Sequence, residues 1–185
     1  MNKIKLIDAK IAQEMKKALA NPKMRKPSLE TFLHVLCIHE AAAKWVGHTH
    51  SISVMSILCS KNGGEPYLHQ IYPDEIVGCG EMPAVVPYAD PGLPLACAAR
   101  DELRRYLDKY GVEPKLILMV NHGMVAIGQS PKDVLTVSLT TDKLACPFIR
   151  IFSMDGPQYL SNQQVKRIET RPDEAYRRTQ LTTIS

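Results

Sequence analysis

Two histidines separated by one residue, His48 and His50, are followed far along the chain by His122 in an Asn-His-Gly turn. Side chains two residues apart on a β-strand point to the same face, so both imidazoles of the pair can reach one ion. A third imidazole from the distant turn would complete three nitrogen ligands. Three protein ligands leave one coordination position for water or substrate, which is typical of a catalytic zinc site.

The residues alone also allow a simpler interpretation of these histidines. A His-x-His pair is a weak signal, because such pairs occur by chance on solvent-exposed strands, and a turn histidine is often satisfied by an ordinary hydrogen bond. His122 lies between two apolar stretches, where an imidazole needs a partner, and a metal is one such partner. Metal binding is therefore a hypothesis that rests on the three histidines together.

Three further residues are candidates for proton transfer or support. Glu30 lies two residues after a predicted helix N-cap at Ser28, where a carboxylate either complements the helix dipole or acts as a base beside a metal. His34 lies four residues on, on the same helical face, and can support the site or make a structural hydrogen bond. Tyr88 ends an apolar stretch, where it can pack as strand-end tyrosines do or exchange a proton through its phenol.

Composition and charge narrow the class of protein. The chain has 185 residues, of which 45% are hydrophobic and 23% charged, which fits one globular domain with a sizeable core. The net charge of +4 is mild, and the densest basic segment also carries acids, so no nucleic-acid partner is predicted. No apolar stretch reaches membrane-spanning length, and the five scattered cysteines form no Cys-x-x-Cys pair. We expect a protein of the reducing cytoplasm with no membrane partner.

The hydrophobic patterns predict a mixed α/β organisation with a layered sheet. We divide the chain into an N-terminal arm and helix, residues 1–26, and a domain, residues 27–185. Pro147 is expected to end or kink the helix that it interrupts. The predicted helices are 8–19, one from 28 onwards, 51–59, 93–110, one from 131 towards 145, 161–170 and 173–178, and the predicted strands are 44–48, 84–88, 116–120 and 124–127.

Several short motifs, taken in order, resemble the class II aldolase/adducin-like family. The resemblance runs from about residue 27 to the end of the helix after Gly128, and the tail around residues 171–176 resembles a sugar-aldolase-like subgroup. Each motif alone is weak, but the set is specific. The motifs are Pro27-Ser28-Leu29-Glu30, the histidine four residues after Glu30, His48-Thr49-His50, Pro87-Tyr88 and Asn121-His122-Gly123.

The resemblance implies a three-layer α/β/α domain with a central, mainly antiparallel sheet, assembled as a homotetramer with active sites between subunits. It implies a zinc-dependent aldolase, a lyase of carbohydrate metabolism that cleaves a small sugar or ketose phosphate by retro-aldol chemistry. Another divalent transition metal can replace zinc at three imidazoles. By position, the metal ligands are His48, His50 and His122, the catalytic residues are Glu30 as base and Tyr88 as the residue that handles the proton on the aldehyde oxygen, and Ser28 binds substrate.

Two departures from the family pattern bear on the substrate. Leu29 stands where family aldolases commonly have a second phosphate-binding serine, and Gly47 is the first glycine of the chain. No glycine-bearing anion nest can precede it. We therefore expect a domain that lacks the family's N-terminal phosphate-binding part, with phosphate recognition lost or replaced. An epimerase or dehydratase on the same metal platform, or a non-catalytic adducin-like interaction domain, are the alternatives.

Overall fold

The computed structural model describes the backbone of residues 3–183 and the side chains of residues 9–177. Eight helices and one single-turn 3-10 helix, Glu65–Leu68, surround four strands in this part of the chain. The helices are α1 (Lys3–Lys17), α2 (Thr31–Glu40), α3 (Ile52–Leu58), α4 (Pro73–Cys79), α5 (Leu93–Tyr110), α6 (Pro131–Ile151), α7 (Asn162–Thr170) and α8 (Pro172–Thr183), and the strands are β1 (Trp45–Thr49), β2 (Ala84–Val86), β3 (Leu116–Met119) and β4 (Gly123–Gly128).

The four strands form one mixed sheet in the order β1-β4-β3-β2. β4 lies between β1 and β3 and is antiparallel to both, whereas β2 is parallel to β3. The predicted sheet, mainly antiparallel, is therefore confirmed. The β1–β4 register places His48 opposite Val125 and Thr49 opposite Met124. This pairing brings the histidine pair to the end of the sheet where the β3–β4 turn lies.

Alternation along the strands separates two apolar cores. In β4, Val125 and Ile127 face the core shared with α2 and α5, while Met124 and Ala126 face the core shared with α3, α4 and α6. Successive side chains of a strand point to opposite faces, so a sheet with apolar residues at every position must be covered on both sides. The three-layer α/β/α fold predicted from the resemblance is confirmed.

The start of α2 differs from the prediction. Ser28 was expected to cap this helix, but Glu30 occupies the N-cap position and Thr31 begins the helix. The main-chain carbonyl of Ser28 instead accepts a hydrogen bond of 3.2 Å from the Thr31 amide, which makes residues 28–31 a turn. This turn moves Glu30 from inside the helix to its entrance.

Three element boundaries are also corrected. The helix expected from Asp8 begins at Lys3. β2 ends at Val86 rather than at Tyr88, because Pro87 has no amide to donate to a sheet ladder. α6 continues through Pro147 to Ile151, and the complete burial of Phe148 offsets the hydrogen bond that the proline removes. Among the described residues, no helix is long and apolar enough to span a membrane.

Candidate metal centre

β1 and the β3–β4 turn position the three predicted histidine ligands at one end of the sheet. One ligand nitrogen from each of His48, His50 and His122 can be chosen so that all three lie within 4.8 Å of one another. The His48 ring lies 4.7 Å from that of His50 and 5.2 Å from that of His122, measured between centroids. The structure therefore brings together three side chains that are separated by up to 74 positions in the sequence.

His48 is oriented by the neighbouring strand. Its Nδ1 lies 2.9 Å from the main-chain oxygen of Met124, which can only accept a hydrogen bond, so Nδ1 carries the proton and donates. The lone pair of the neutral ring is then on Nε2, which lies 2.9 Å from Nε2 of His50. Tetrahedral zinc with bonds of about 2.0–2.1 Å holds two ligand nitrogens about 3.4 Å apart, so this spacing is close to that of a shared ion.

His122 is presented by a tight turn with unusual backbone geometry. Asn121 has φ of +57°, in the left-handed region where asparagine is favoured among non-glycine residues. The amide of His122 donates to the carbonyl of Met119 at 3.1 Å, which closes the turn between β3 and β4. The side chain of His122 is 9% exposed, and its Nε2 is buried without a hydrogen-bond partner among the described residues.

Gly123 permits the close approach of the histidine pair. A Cβ at this position would lie 2.7 Å from the main-chain oxygen of Thr49 and 2.7 Å from Cδ2 of His50. Cβ atoms essentially never approach other heavy atoms so closely, and the carbonyl belongs to a paired strand and cannot easily move. Glycine is thus a requirement of the site as well as of the turn.

Glu30 lies beside the histidines from the α2 side. Its Oε1 is 3.6 Å from Nε2 of His122, and its Oε2 is 4.0 Å from Nε2 of His48. Oε2 is buried without a hydrogen-bond partner in the part of the chain that the structure describes. A carboxylate at this distance can complete a metal site or move a proton at an atom bound there.

Burial governs the protonation of the two inner histidines. Desolvation lowers the pKa of His48 and of His122 below the usual value, and the negative charge of Glu30 opposes this shift in both. A lowered pKa keeps an imidazole neutral at neutral pH, which is the form that binds a metal. The electrostatics therefore suit ligands rather than cationic side chains.

These residues fit a divalent transition metal. Three neutral imidazoles are a zinc-type donor set, and a carboxylate lies within reach of a fourth position. Two buried polar atoms, Nε2 of His122 and Oε2 of Glu30, have no hydrogen-bond partner among the described residues, which is costly unless another group satisfies them. A cation between them satisfies both.

The two other predicted site residues are not brought against the histidines. Tyr88 is 59% exposed, and its hydroxyl donates to Oδ1 of Asp90 at 3.0 Å. This hydrogen bond to a carboxylate raises the pKa of the Tyr88 phenol. Ser28 is exposed in the turn before Glu30. Both residues stay predictions as catalytic and substrate-binding groups.

Sequence reasoning missed two parts of the site. The Met124 carbonyl that orients His48 depends on strand register, which the sequence does not reveal. From the sequence, Gly123 was assigned only to the turn, although a glycine directly after a candidate ligand is a usable signal of a close approach.

His34, a candidate for support of the site, lies near His48. The ring of His34 stands edge-on to that of His48 with 6.3 Å between centroids, consistent with support of the site.

Comparison with known proteins assigns the chain to a family. The sequence model described as "Class II Aldolase and Adducin N-terminal domain" matches residues 2–146, and the chain belongs to this family. The match includes the N-terminal helix as well as every histidine of the candidate metal centre.

Solved structures show the same fold. YgbL of Escherichia coli, described as an aldolase, epimerase or decarboxylase candidate, superposes with a TM-score of 0.62 at 21% identity, covering 78% of this chain and 67% of that one. L-fuculose 1-phosphate aldolase gives a TM-score of 0.64 at 18% identity, covering 79% of this chain and 64% of that one. At these identities the likeness establishes the fold alone, so the reaction must be argued from the residues of the site.

A curated relative matches only part of its own length. The Bacillus subtilis protein YuxG, described as an uncharacterized oxidoreductase, is 28% identical over 123 residues. The aligned part is 66% of this chain but only 15% of that protein. The activity of so much longer a protein does not transfer to this chain.

Proposed function

We propose that this protein is a metal-dependent aldolase that binds one divalent transition metal, with zinc as first choice, through His48, His50 and His122. The substrate would be a small sugar or ketose phosphate, cleaved by retro-aldol chemistry. The observation that carries the proposal is the convergence of three imidazoles on a buried carboxylate, Glu30. Membership of the class II aldolase family supports the reaction class.

The proposed roles follow from the positions of the side chains. A bound divalent cation would stabilise the negative charge that develops on the substrate oxygens during carbon–carbon cleavage. Glu30 would accept the proton of the substrate hydroxyl as the bond breaks and return a proton to the carbon of the other fragment. Its carboxylate lies within 4 Å of two of the histidine nitrogens, so a substrate held there would be within its reach.

Tyr88 and Ser28 would act from the rim of the site. We assign to Tyr88 the transfer of that same proton: its phenol would accept it from the oxygen that becomes the aldehyde while passing its own proton on towards Glu30, and Ser28 would donate a hydrogen bond to substrate. Tyr88 is exposed and hydrogen-bonded to Asp90 in the single chain. We therefore infer that its role requires a homotetramer, in which the sites would lie between subunits.

The free state of all five cysteines is consistent with a cytoplasmic setting.

A second candidate function is supported by the same exposure of Tyr88 and Ser28. A metal-binding, non-catalytic interaction domain needs the histidines but not the rim residues. An epimerase or dehydratase on the same platform would share the metal and Glu30 and differ in the product formed.

The experiment measures metal and turnover on one preparation. The purified full chain is stripped with chelator, reconstituted with zinc at neutral pH, desalted and submitted to elemental analysis and size-exclusion chromatography with light scattering. We expect about one metal per chain and a tetramer. Aldehyde release is then assayed on a panel of ketoses and ketose phosphates, with product analysis to separate cleavage from epimerisation and dehydration.

The outcomes separate the candidates. Metal binding with aldehyde release supports the aldolase, and metal binding with another product supports the epimerase or dehydratase. Metal binding without turnover of any panel compound supports the interaction domain. A chain that stays metal-free after reconstitution refutes every proposal made for the histidine site.

A further inference from the structure

A large cavity lies next to the candidate metal centre. It has a volume of about 760 Å³ and is formed by the second half of α1, the turn that leads into α2, and the segment from Asp90 to Cys97. Small-molecule sites in proteins commonly fall in the range of about 300–1,000 Å³. The cavity is therefore large enough to hold part of a substrate.

The turn that leads into α2 contributes residues both to the cavity and to the metal centre. Leu29 and Phe32 line the cavity, and Glu30, between them in the sequence, directs its carboxylate at the histidines. On the other side, Asp90 lines the cavity and accepts the hydrogen bond of Tyr88. Two residues proposed for catalysis are thus directly connected to the walls of this cavity.

The lining is apolar. Hydrocarbon surface comes from Met15 of α1, Leu29, Phe32 and Leu93. Lys26 and Asp90 are the charged residues of the lining, and their charges are opposite. Binding of a phosphate dianion needs several convergent donors, which one lysine offset by an aspartate does not supply.

We propose that this cavity receives an apolar substituent of the substrate, aliphatic or aryl, and not a phosphate. The inference rests on the proposed function, because it assigns the cavity to the compound that reacts at the histidines. Apolar surface removed from water provides affinity in proportion to its area, so the length of the substituent should set the strength of binding.

The test uses ligands with one metal-chelating head and different tails. Acetohydroxamate and hexanohydroxamate are titrated into the zinc-loaded full chain by calorimetry. Each methylene buried in the cavity should tighten binding by about fourfold, so hexanohydroxamate should bind more than about tenfold tighter even with incomplete burial. The phosphate ester of glycolohydroxamate should bind no tighter than glycolohydroxamate itself.

Two matched variants locate the tail. Leu29 and Val35 are 55% and 56% exposed, but only Leu29 lines the cavity. Leu29→Ser should remove most of the gain from the longer tail, while Val35→Ser should retain it. Both positions are exposed enough for the variants to fold.

Alkylation of Cys97 gives a second readout. Cys97 is half-buried in the cavity lining, whereas Cys59 and Cys146 are exposed elsewhere. Hexanohydroxamate should slow iodoacetamide modification of Cys97 relative to these two cysteines, as measured by peptide mass spectrometry, and acetohydroxamate should not.

The outcomes distinguish the inference from the function on which it rests. If no hydroxamate binds the zinc-loaded chain, the proposed metal site is wrong and the inference fails with it. If the short and long hydroxamates bind equally, if Leu29→Ser keeps the gain, or if the phosphate ester binds tenfold tighter, the inference is overturned while the metal site stands.

Discussion

Two partly or fully buried glutamates at the starts of short helices differ in the groups around their carboxylates. Glu30 lies beside the histidines of the candidate metal centre, and Glu75 lies beside backbone amides. Glu30 occupies the N-cap position of α2, and Glu75 is the third residue of α4. In both, Oε2 is buried without a hydrogen-bond partner among the described residues. Glu30 faces two imidazoles, whereas Oε1 of Glu75 accepts a hydrogen bond of 2.7 Å from the amide of Ile71.

The difference has an electrostatic consequence. Burial raises the pKa of Glu75 to about 8, and hydrogen bonds from two backbone amides only partly oppose this shift. No cationic side chain of residues 9–177 pairs with that carboxyl, so the neutral acid is favoured up to mildly alkaline pH. Beside Glu30 the structure places three imidazoles that could together hold a metal ion. A buried carboxyl thus indicates a functional site only when side chains that can bind a cation lie beside it.

The largest expected effect is the loss of metal from ligand variants. His122→Ala removes one of three nitrogen donors, and the remaining pair would not hold zinc tightly, so metal content should fall from about one per chain to a trace. His69→Ala is the matched control, because His69 pairs with Glu65 outside the cluster. Elemental analysis of both variants checks this, and zinc retained by His122→Ala would remove His122 from the ligand set.

The next effect compares the two glutamates directly. Glu30→Gln should lower aldehyde release by about 10²–10⁴-fold, because an amide cannot accept the proton, while the metal stays largely bound. Glu75→Gln should leave turnover within about twofold, since the α4 carboxyl lies outside the site. Steady-state kinetics with metal analysis on both variants measures this contrast. Equal losses in the two variants would mean that Glu30 is not the base.

The contribution of Glu75 to the free energy of unfolding should depend on pH. The folded-state pKa of about 8 lies above the ordinary value of 4.5, so the folded state binds the proton more tightly than the unfolded state. The stability that Glu75 contributes is therefore fully present below pH 4.5 and is lost as pH rises towards 8. Glu75→Gln should flatten this loss and be more stable at pH 9 by roughly 2–4 kcal/mol.

Denaturant unfolding of wild type and variant at pH 4.5 and pH 9 checks the sign. Glu30→Gln is measured in the same way for comparison. The carboxylate of Glu30 lies beside imidazoles, so its removal should not give the gain in stability at pH 9 that is expected for Glu75→Gln. If the difference in unfolding free energy between wild type and Glu75→Gln does not shift in favour of the variant from pH 4.5 to pH 9, the neutral Glu75 is contradicted.

The sequence contained most of the candidate metal centre but not the means by which it is held. Residue type and strand period were enough to select His48 and His50, since same-face spacing is a local property. The turn around His122 was also readable, because Asn and Gly mark a tight turn. The orienting Met124 carbonyl depends on pairing between β1 and β4, two segments about 75 residues apart, and no local pattern encodes that register.

Errors in the predicted elements have similar causes. Ser28 has the right side chain for an N-cap, but the backbone turn that hydrogen-bonds Ser28 to Thr31 takes that position, and this was not visible in the sequence. Pro147 is a strong local breaker, but burial of Phe148 carries α6 past it. Glu75 was overlooked because an acid in the first turn of a helix is usually explained by the dipole alone. A local backbone turn decided the first case, and burial decided the other two.

The smallest expected effect tests whether the geometry around Gly123 belongs to the metal centre alone. Gly123→Ala places a methyl group 2.7 Å from the Thr49 carbonyl and the His50 ring, so it should destabilise the fold by about 1–3 kcal/mol. The displaced imidazole should also weaken zinc binding by about tenfold. Gly78→Ala is the control from the Glu75 helix, where the methyl group would meet the Thr140 side chain at 2.9 Å. Thermal unfolding and zinc titration of both variants should show a stability loss for each but weaker zinc only for Gly123→Ala. If Gly78→Ala weakens zinc equally, the histidine geometry depends on global packing rather than on contact with Gly123.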